Sequence, residues 1–154
     1  MKTEVLQSIA DMLRNDITDE QFNIDHWFQH CGSVGCAIGH AVHRNLIPGL
    51  KLDYVPFIAI DGTIEKASFL TPVMEGATIE PQRAGAGLGT FAAFHAASAA
   101  LDLTLSDTVE LFDSDSYLPE DFENAGFDEE DEFVVTREMA ADRIEAFIAG
   151  KWPR

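Results

Sequence analysis

The sequence predicts a mainly α fold of the α+β type: a compact cluster of about five helices with one small β-hairpin near residues 52–70, all within a single globular domain over 1–154. Three observations predict it. Apolar residues recur at helical spacing in several separate segments. One Asp-Gly pair stands between two apolar runs, the strongest short-range hairpin signal. Eleven phenylalanines and a hydrophobic share of 46% supply a core that a chain of 154 residues can close without a disulfide or a metal.

The elements follow in order. Residues 3–15 carry Val5, Leu6, Ile9, Met12 and Leu13 on one helical stripe, with Thr3 as the expected cap and Asn15-Asp16 as the break. Phe22 to Phe28 is short, aromatic and alternating at its start, so it reads either as an extended lead-in or as a single turn. A second helix is expected from Gly32-Ser33, capped by Ser33, to about Leu46, where Pro48-Gly49 ends it. Leu52–Ile60 and Thr63–Leu70 bracket Asp61-Gly62 as the hairpin; Pro56 weakens the first strand or places it at an edge.

Residues 71–89 are rich in Gly and Pro and read as a loop. Gly85-Ala86-Gly87-Leu88-Gly89 has neither the dinucleotide nor the Walker spacing, so it predicts close packing or flexibility instead of phosphate binding. Thr90 is expected to cap a third helix through Leu101, apolar nearly all round and therefore central. Ser106 is expected to cap a short fourth helix over Asp107–Phe112, and residues 113–132 read as an acidic loop. Thr136 caps the last helix, whose stripe is Met139, Ala140, Arg143, Ile144, Phe147 and Ile148, with Gly150 as its stop.

Charge narrows the function classes. Ten Lys and Arg stand against 27 Asp and Glu, a net −17. Such a surface repels phosphates and anionic lipid, so neither direct nucleic-acid binding nor membrane binding is expected. It favours a basic protein partner or cations, or serves only solubility. No run of 18 apolar residues predicts a membrane span. Met1-Lys2-Thr3-Glu4 leads straight into an amphipathic stripe, not a secretory signal, and two cysteines fit reduced thiols, so a cytoplasmic location is expected.

Four of the five histidines fall between residues 26 and 43 beside both cysteines: His26-x3-His30-Cys31-x4-Cys36-x3-His40-x2-His43. Thiolate and imidazole are the usual zinc ligands. On a helix, Val34, Ile38, Ala41, Val42 and Leu46 share one arc, while Cys36, His40 and His43 share the opposite one. Cys36 and His40 lie one turn apart, and His30 or His26 would complete a zinc site. Against this stands a second layer of core on that arc, since cysteine is among the most buried residue types and the spacing matches no common finger or knuckle. The core reading is the preferred one, and no cofactor is expected. Cys31 ahead of a helix, with His26 or His30 as base, is a further option for thiol chemistry, but no third orienting residue is evident.

The string Cys31-Gly32-Ser33-Val34-Gly35-Cys36-Ala37-Ile38-Gly39-His40-Ala41 resembles the CGTxxCxxGxA signature of a group of uncharacterised bacterial and phage proteins. Phe22-Asn23-Ile24-Asp25-His26-Trp27 is similar to the F-x-M-x-x-W segment that precedes it there. Asp102-Leu103…Leu111-Phe112 and the terminal helix over 140–148 look similar to later segments of the group. This chain has Ser33 for the usual Thr and Asp102 for the usual Gly, and residues 47–89 have no counterpart. The resemblance implies no catalytic residues. It implies that Gly32, Gly35 and Gly39 let the second helix approach its neighbours, and that His40, at an often aromatic position, is not an essential ligand.

From Asp113 to Glu132 there are ten acids and no basic residue. A calcium loop starting at Asp113 fails, with Leu118 where Gly is needed and Asn124 where a bidentate Glu is needed. The run reads as a solvated loop, with Phe122, Phe127 and Phe133 pinning it to the core, or as a surface for a basic partner centred on Asp128, Glu129, Glu130, Asp131 and Glu132. The function expected is therefore that of a non-enzymatic acidic interaction or regulatory protein binding a basic protein partner, with a phage-type DNA mimic or anti-defence protein as a special form. The alternative is a metal-binding protein or hydrolase using Cys36, His40 and His30.

Overall fold

The stripe at the N-terminus folds as predicted. In the computed structural model, which describes residues 1–29, 34–83, 90–127 and 132–151, α1 (Thr3–Asn15) buries Leu6, Ile9, Met12 and Leu13 almost completely. Each such side chain contributes roughly 1.5–3 kcal/mol by leaving water. Thr3 is the first helical residue and not the cap; Lys2 holds that place without a side-chain bond. α1 lies along α6 (Arg137–Ile148), which Thr136 caps as expected, its Oγ1 accepting from the Met139 amide at 3.2 Å. Ion pairs tie the two together: Arg14 reaches Asp142 at 2.6 Å and Glu145 at 2.9 Å. The bond to Arg14 holds the Glu145 carboxyl below its ordinary range. Arg137 donates to the carbonyls of Leu13 and Arg14, both at 2.8 Å, serving two carbonyls of the last turn of α1 that have no intrahelical partner.

The β content exceeds one small hairpin, which corrects the predicted fold class. The described residues form six α-helices and a four-stranded mixed sheet. β1 is Phe28–Gln29, β2 Leu50–Ile58, β3 Ile64–Met74 and β4 Gln82–Arg83, in the spatial order β1-β3-β2-β4. The β2–β3 pair is the predicted hairpin, but it extends to Leu50 and Met74, which face each other in register. β1 adds antiparallel to β3 at Leu70 and Phe69, and β4 adds parallel to β2 at Phe57 and Ile58. Strands of two residues show no alternation in a sequence, which is why neither was predicted. Pro56 neither ends β2 nor puts it at the edge. The register shifts between Tyr54 and Pro56, a bulge that absorbs the proline and leaves Val55 fully buried.

The helix starts also need correction. α2 begins at Ala37 and ends at His43, shorter than the expected span to about Leu46; Gly32 and Ser33, the expected start and cap, lie outside the described residues. Gly35 and Cys36 ahead of it are extended: the Gly35 amide donates to the Gln21 carbonyl at 3.0 Å and the Cys36 amide to the His26 carbonyl at 2.7 Å. Phe22 and Phe28 both bridge to Gly35, and between them the segment turns at Ile24-Asp25, the His26 amide donating to the Asn23 carbonyl at 3.3 Å, so the lead-in is extended at its ends and holds one turn. α3 (Thr90–Leu101) packs against β3 and buries Ala93, Phe94, Ala97 and Leu101, as its apolar composition predicts. α4 (Leu105–Phe112) is capped by Thr104 and not by Ser106; Thr104 Oγ1 accepts from the Asp107 amide at 3.0 Å. The predicted acidic loop contains a 3-10 turn at Ser114–Ser116 and a helix beyond the five expected, α5 (Pro119–Asn124). Pro119 suits the first turn, where its missing N–H is not needed. Among the described residues no helix is long and apolar enough to cross a membrane.

Candidate functional site

The arc carrying Cys36 and His40 faces the Gln21–Phe28 segment, and both side chains are buried. Cys36 is the N-cap of α2. Its Sγ accepts from the Gly39 amide at 3.4 Å and donates to the Trp27 carbonyl at 3.7 Å. Burial pushes the thiol up to about 11, so it stays protonated at neutral pH and is a poor nucleophile or metal ligand. The His40 Nε2–H donates to the Gln21 carbonyl at 2.7 Å, and the ring meets Phe28 edge-on at 5.3 Å. His43 is exposed and stacks on Phe28, with centroids 4.7 Å apart. His26 is exposed. His30 and Cys31 lie outside the described residues. Among the described residues no three His, Cys, Asp or Glu converge as a metal group would. Cys36 and His40 are thus packed against the aromatic lead-in, His43 on the same arc is exposed, and α2 also packs against α1, β2 and β3.

Glycine makes that approach possible. A Cβ on Gly39 would fall inside the Trp27 carbonyl, and one on Gly35 would stand 2.6 Å from the Phe28 ring and 2.8 Å from the Trp27 oxygen. Nothing but hydrogen fits at either place.

His40 gives this packing a pH signature. Desolvation lowers its pKa, reinforced by the charges of Arg44 and His43 and only partly opposed by the Gln21 carbonyl. A histidine with a depressed folded pKa binds fewer protons folded than unfolded, so its contribution is complete above about pH 6.5 and is lost as pH falls below that. Urea unfolding of wild type and His40→Gln at pH 7 and pH 5 should show the larger loss in wild type. An equal loss in both would mean that His40 charges as easily folded as unfolded.

A groove of about 720 Å³ lies elsewhere. It is built from three separate segments: Phe22–Asp25, Ser114–Phe122 and Glu132–Val135. Its described lining holds three carboxylates (Asp25, Asp115 and Glu132), four aromatic rings (Phe22, Tyr117, Phe122 and Phe133) and no Lys, Arg or His. None of the three carboxylates is in an ion pair among the described residues. A smaller recess of about 110 Å³ shares Ile24, Asp25 and Ser114 with the groove and adds Asp113. The Trp27–Phe94 pair, edge to face at 5.0 Å, lines it.

The aromatic rings divide the two tasks foreseen for the acidic run. Phe122 is buried and packs against Phe127 and Phe133 with centroids at 5.8 and 4.9 Å, which pins the segment. Phe133 is 49% exposed and Val134 54%, so they present apolar surface beside Glu132. Asp128, Glu129, Glu130 and Asp131 lie outside the described residues.

Arg143 holds the groove floor in place. Its α6 stripe position predicts burial, and it is 4% exposed. The guanidinium lies 3.2 Å from the Tyr117 ring centroid. It donates to the Glu110 carbonyl at 2.8 Å, Ser116 Oγ at 2.7 Å and Asp121 Oδ2 at 2.8 Å. One cation thus ties the end of α4, the 3-10 turn and α5 to α6. Asp25, Tyr117 and Arg143 carried no functional expectation from the sequence; Asp-x-Asp at 113–115 was the nearest signal.

No protein-family model, no curated protein and no solved structure matches this chain.

Proposed function

We propose that this chain is a non-enzymatic interaction protein whose acidic, aromatic-walled groove receives a basic segment of a partner protein. The observation that carries the reading is the groove lining: three carboxylates outside any ion pair among the described residues, four rings, and no Lys, Arg or His among the described lining residues. Carboxylates at a rim steer a cationic segment and set its salt dependence, while the rings supply the apolar contact that makes a pocket bind. Asp128, Glu129, Glu130 and Asp131 adjoin Glu132 in the chain. A special form is occupation of the DNA site of a DNA-binding partner, for which the net −17 is the supporting feature.

The test is fluorescence anisotropy with a labelled twelve-residue peptide of Lys, Arg and Leu, against an analogue with Gln at every basic position. Wild type should prefer the basic peptide, with affinity falling as salt rises. The triple variant Asp25→Asn, Asp115→Asn, Glu132→Gln should bind it roughly tenfold or more weakly while keeping its melting temperature, since none of the three holds an ion pair among the described residues. Equal binding of the two peptides by wild type would refute the reading.

A further inference from the structure

We propose that the basic segment binds in extended form and pairs, main chain to main chain, with residues 132–135, adding a strand along that wall of the groove. The proposal rests on the basic-segment reading of the groove and states how the segment lies in it.

Residues 132–135 all line the groove. They hold no helix, turn or bend, none has a positive φ, and Thr136 behind them is extended. Their side chains alternate as those of a strand do. Phe133 packs on the buried Phe122 ring and Val135 is buried, while Val134 between them is 54% exposed. Among the described residues no hydrogen bond reaches the main chain of Glu132, Phe133, Val134 or Val135. The Phe22–Asp25 wall differs: there the Asn23 amide donates to the Gly35 carbonyl at 3.1 Å and the Asp25 amide to Asn23 Oδ1 at 2.9 Å. An extended chain directs successive N–H and C=O groups to alternate edges. Neither edge of 132–135 is paired, so the edge along the groove is open whichever residues supply it.

The surroundings select what completes that edge. Main-chain donors and acceptors in a row are matched by another extended chain, whose own N–H and C=O groups are free. A helical segment spends those groups on itself. Asp25, Asp115 and Glu132 line the groove with no Lys, Arg or His among the described lining residues, so a basic chain is attracted and an acidic one repelled. In an extended chain every second side chain shares a face, which lets several basic residues meet those carboxylates while the main chain pairs. Access needs no rearrangement, since Asp25, Asp115, Glu132, Phe133 and Val134 are exposed.

The basic peptide used above, written with Leu at every second place, tests this in two isomers. One is N-methylated at its Leu residues and the other at its basic residues, which removes N–H donors and leaves side chains and charge intact. Strand pairing uses the amides of one edge, so one isomer should bind as the unmethylated peptide does and the other roughly tenfold or more weakly. Hydrogen exchange supplies the protein's side of the pairing. The amides of Phe133 and Val134 should exchange freely in the free protein, and a saturating amount of unmethylated peptide should slow one of them about tenfold or more. Wild type that prefers the basic peptide to its Gln analogue but binds both isomers equally would overturn this inference and leave the groove reading standing. Protection of both amides in the free protein would do the same. Wild type without that preference would overturn both.

Discussion

Gly39→Ala is expected to destabilise the protein by about 3 kcal/mol or more, near the upper end of what overpacking a core costs. The added Cβ would lie 1.6 Å from the Trp27 carbonyl oxygen, and that oxygen is backbone, so no side-chain rotation relieves the overlap. Either α2 or the aromatic lead-in must move. Moving them breaks the Sγ contacts of Cys36 to the Gly39 amide and the Trp27 carbonyl, and the His40 bond to the Gln21 carbonyl. Domains of this size keep only about 5–15 kcal/mol of net stability, so the variant should lose a large part of it. Urea unfolding followed by tryptophan fluorescence measures the loss. Gly49→Ala is the control: its Cβ meets nothing within 4 Å, but the residue sits at φ +89°, so the expected cost is only about 1 kcal/mol of backbone strain. Equal effects at the two positions would show that α2 does not need its close approach.

Arg143→Met is expected to cost about 3–5 kcal/mol, the range for removing one partner of a buried charged network. Methionine fills much of the volume but donates nothing. The Glu110 carbonyl, Ser116 Oγ and Asp121 carboxylate each lose that donor, and the Tyr117 ring loses the cation over its face. Arg143→Lys should recover little, because an ammonium cannot repeat a planar fork that serves three acceptors and a ring at once. The loss should be local as well as global. Amides of the Ser114–Asn124 region should exchange with deuterium much faster in the variant than amides of α1, whose core contacts are unaffected. Uniform exchange across both regions would mean that Arg143 is not the tie between α6 and the groove floor.

How much of this was legible follows from the length and repetition of each signal. α1 and α6 repeat their apolar positions over several turns, and α3 is apolar nearly all round, so all three were readable. The β2–β3 turn carries Asp61-Gly62, which marks it without ambiguity. β1 and β4 hold two residues each and exist only because β3 and β2 offer edges to them. Ser33 is a good cap in isolation, but the amides of Gly35 and Cys36 are bound across the fold and delay α2 to Ala37. α5 was hidden inside a charge run that resembles a loop.

The site was legible only in part. Glu132 and the aromatic residues among the acids marked one wall of the groove. Asp25 is separated from Asp115 by about ninety residues, and no local pattern predicts that they line one cavity. Arg143 showed only as a stripe position; that its charge would be buried over Tyr117 depends on where α4 and α5 end up. Cys36 and His40 gave a strong local signal, and their atoms serve a helix cap and a backbone carbonyl.

The most direct check on the groove is an NMR titration of the isotope-labelled protein with the Lys-Arg-Leu peptide. Amide shifts should concentrate at Asn23–Asp25, Ser114–Tyr117 and Glu132–Val135, and should shrink as salt is added. Shifts confined to the β2–β3 hairpin, or a response that salt leaves unchanged, would contradict the account.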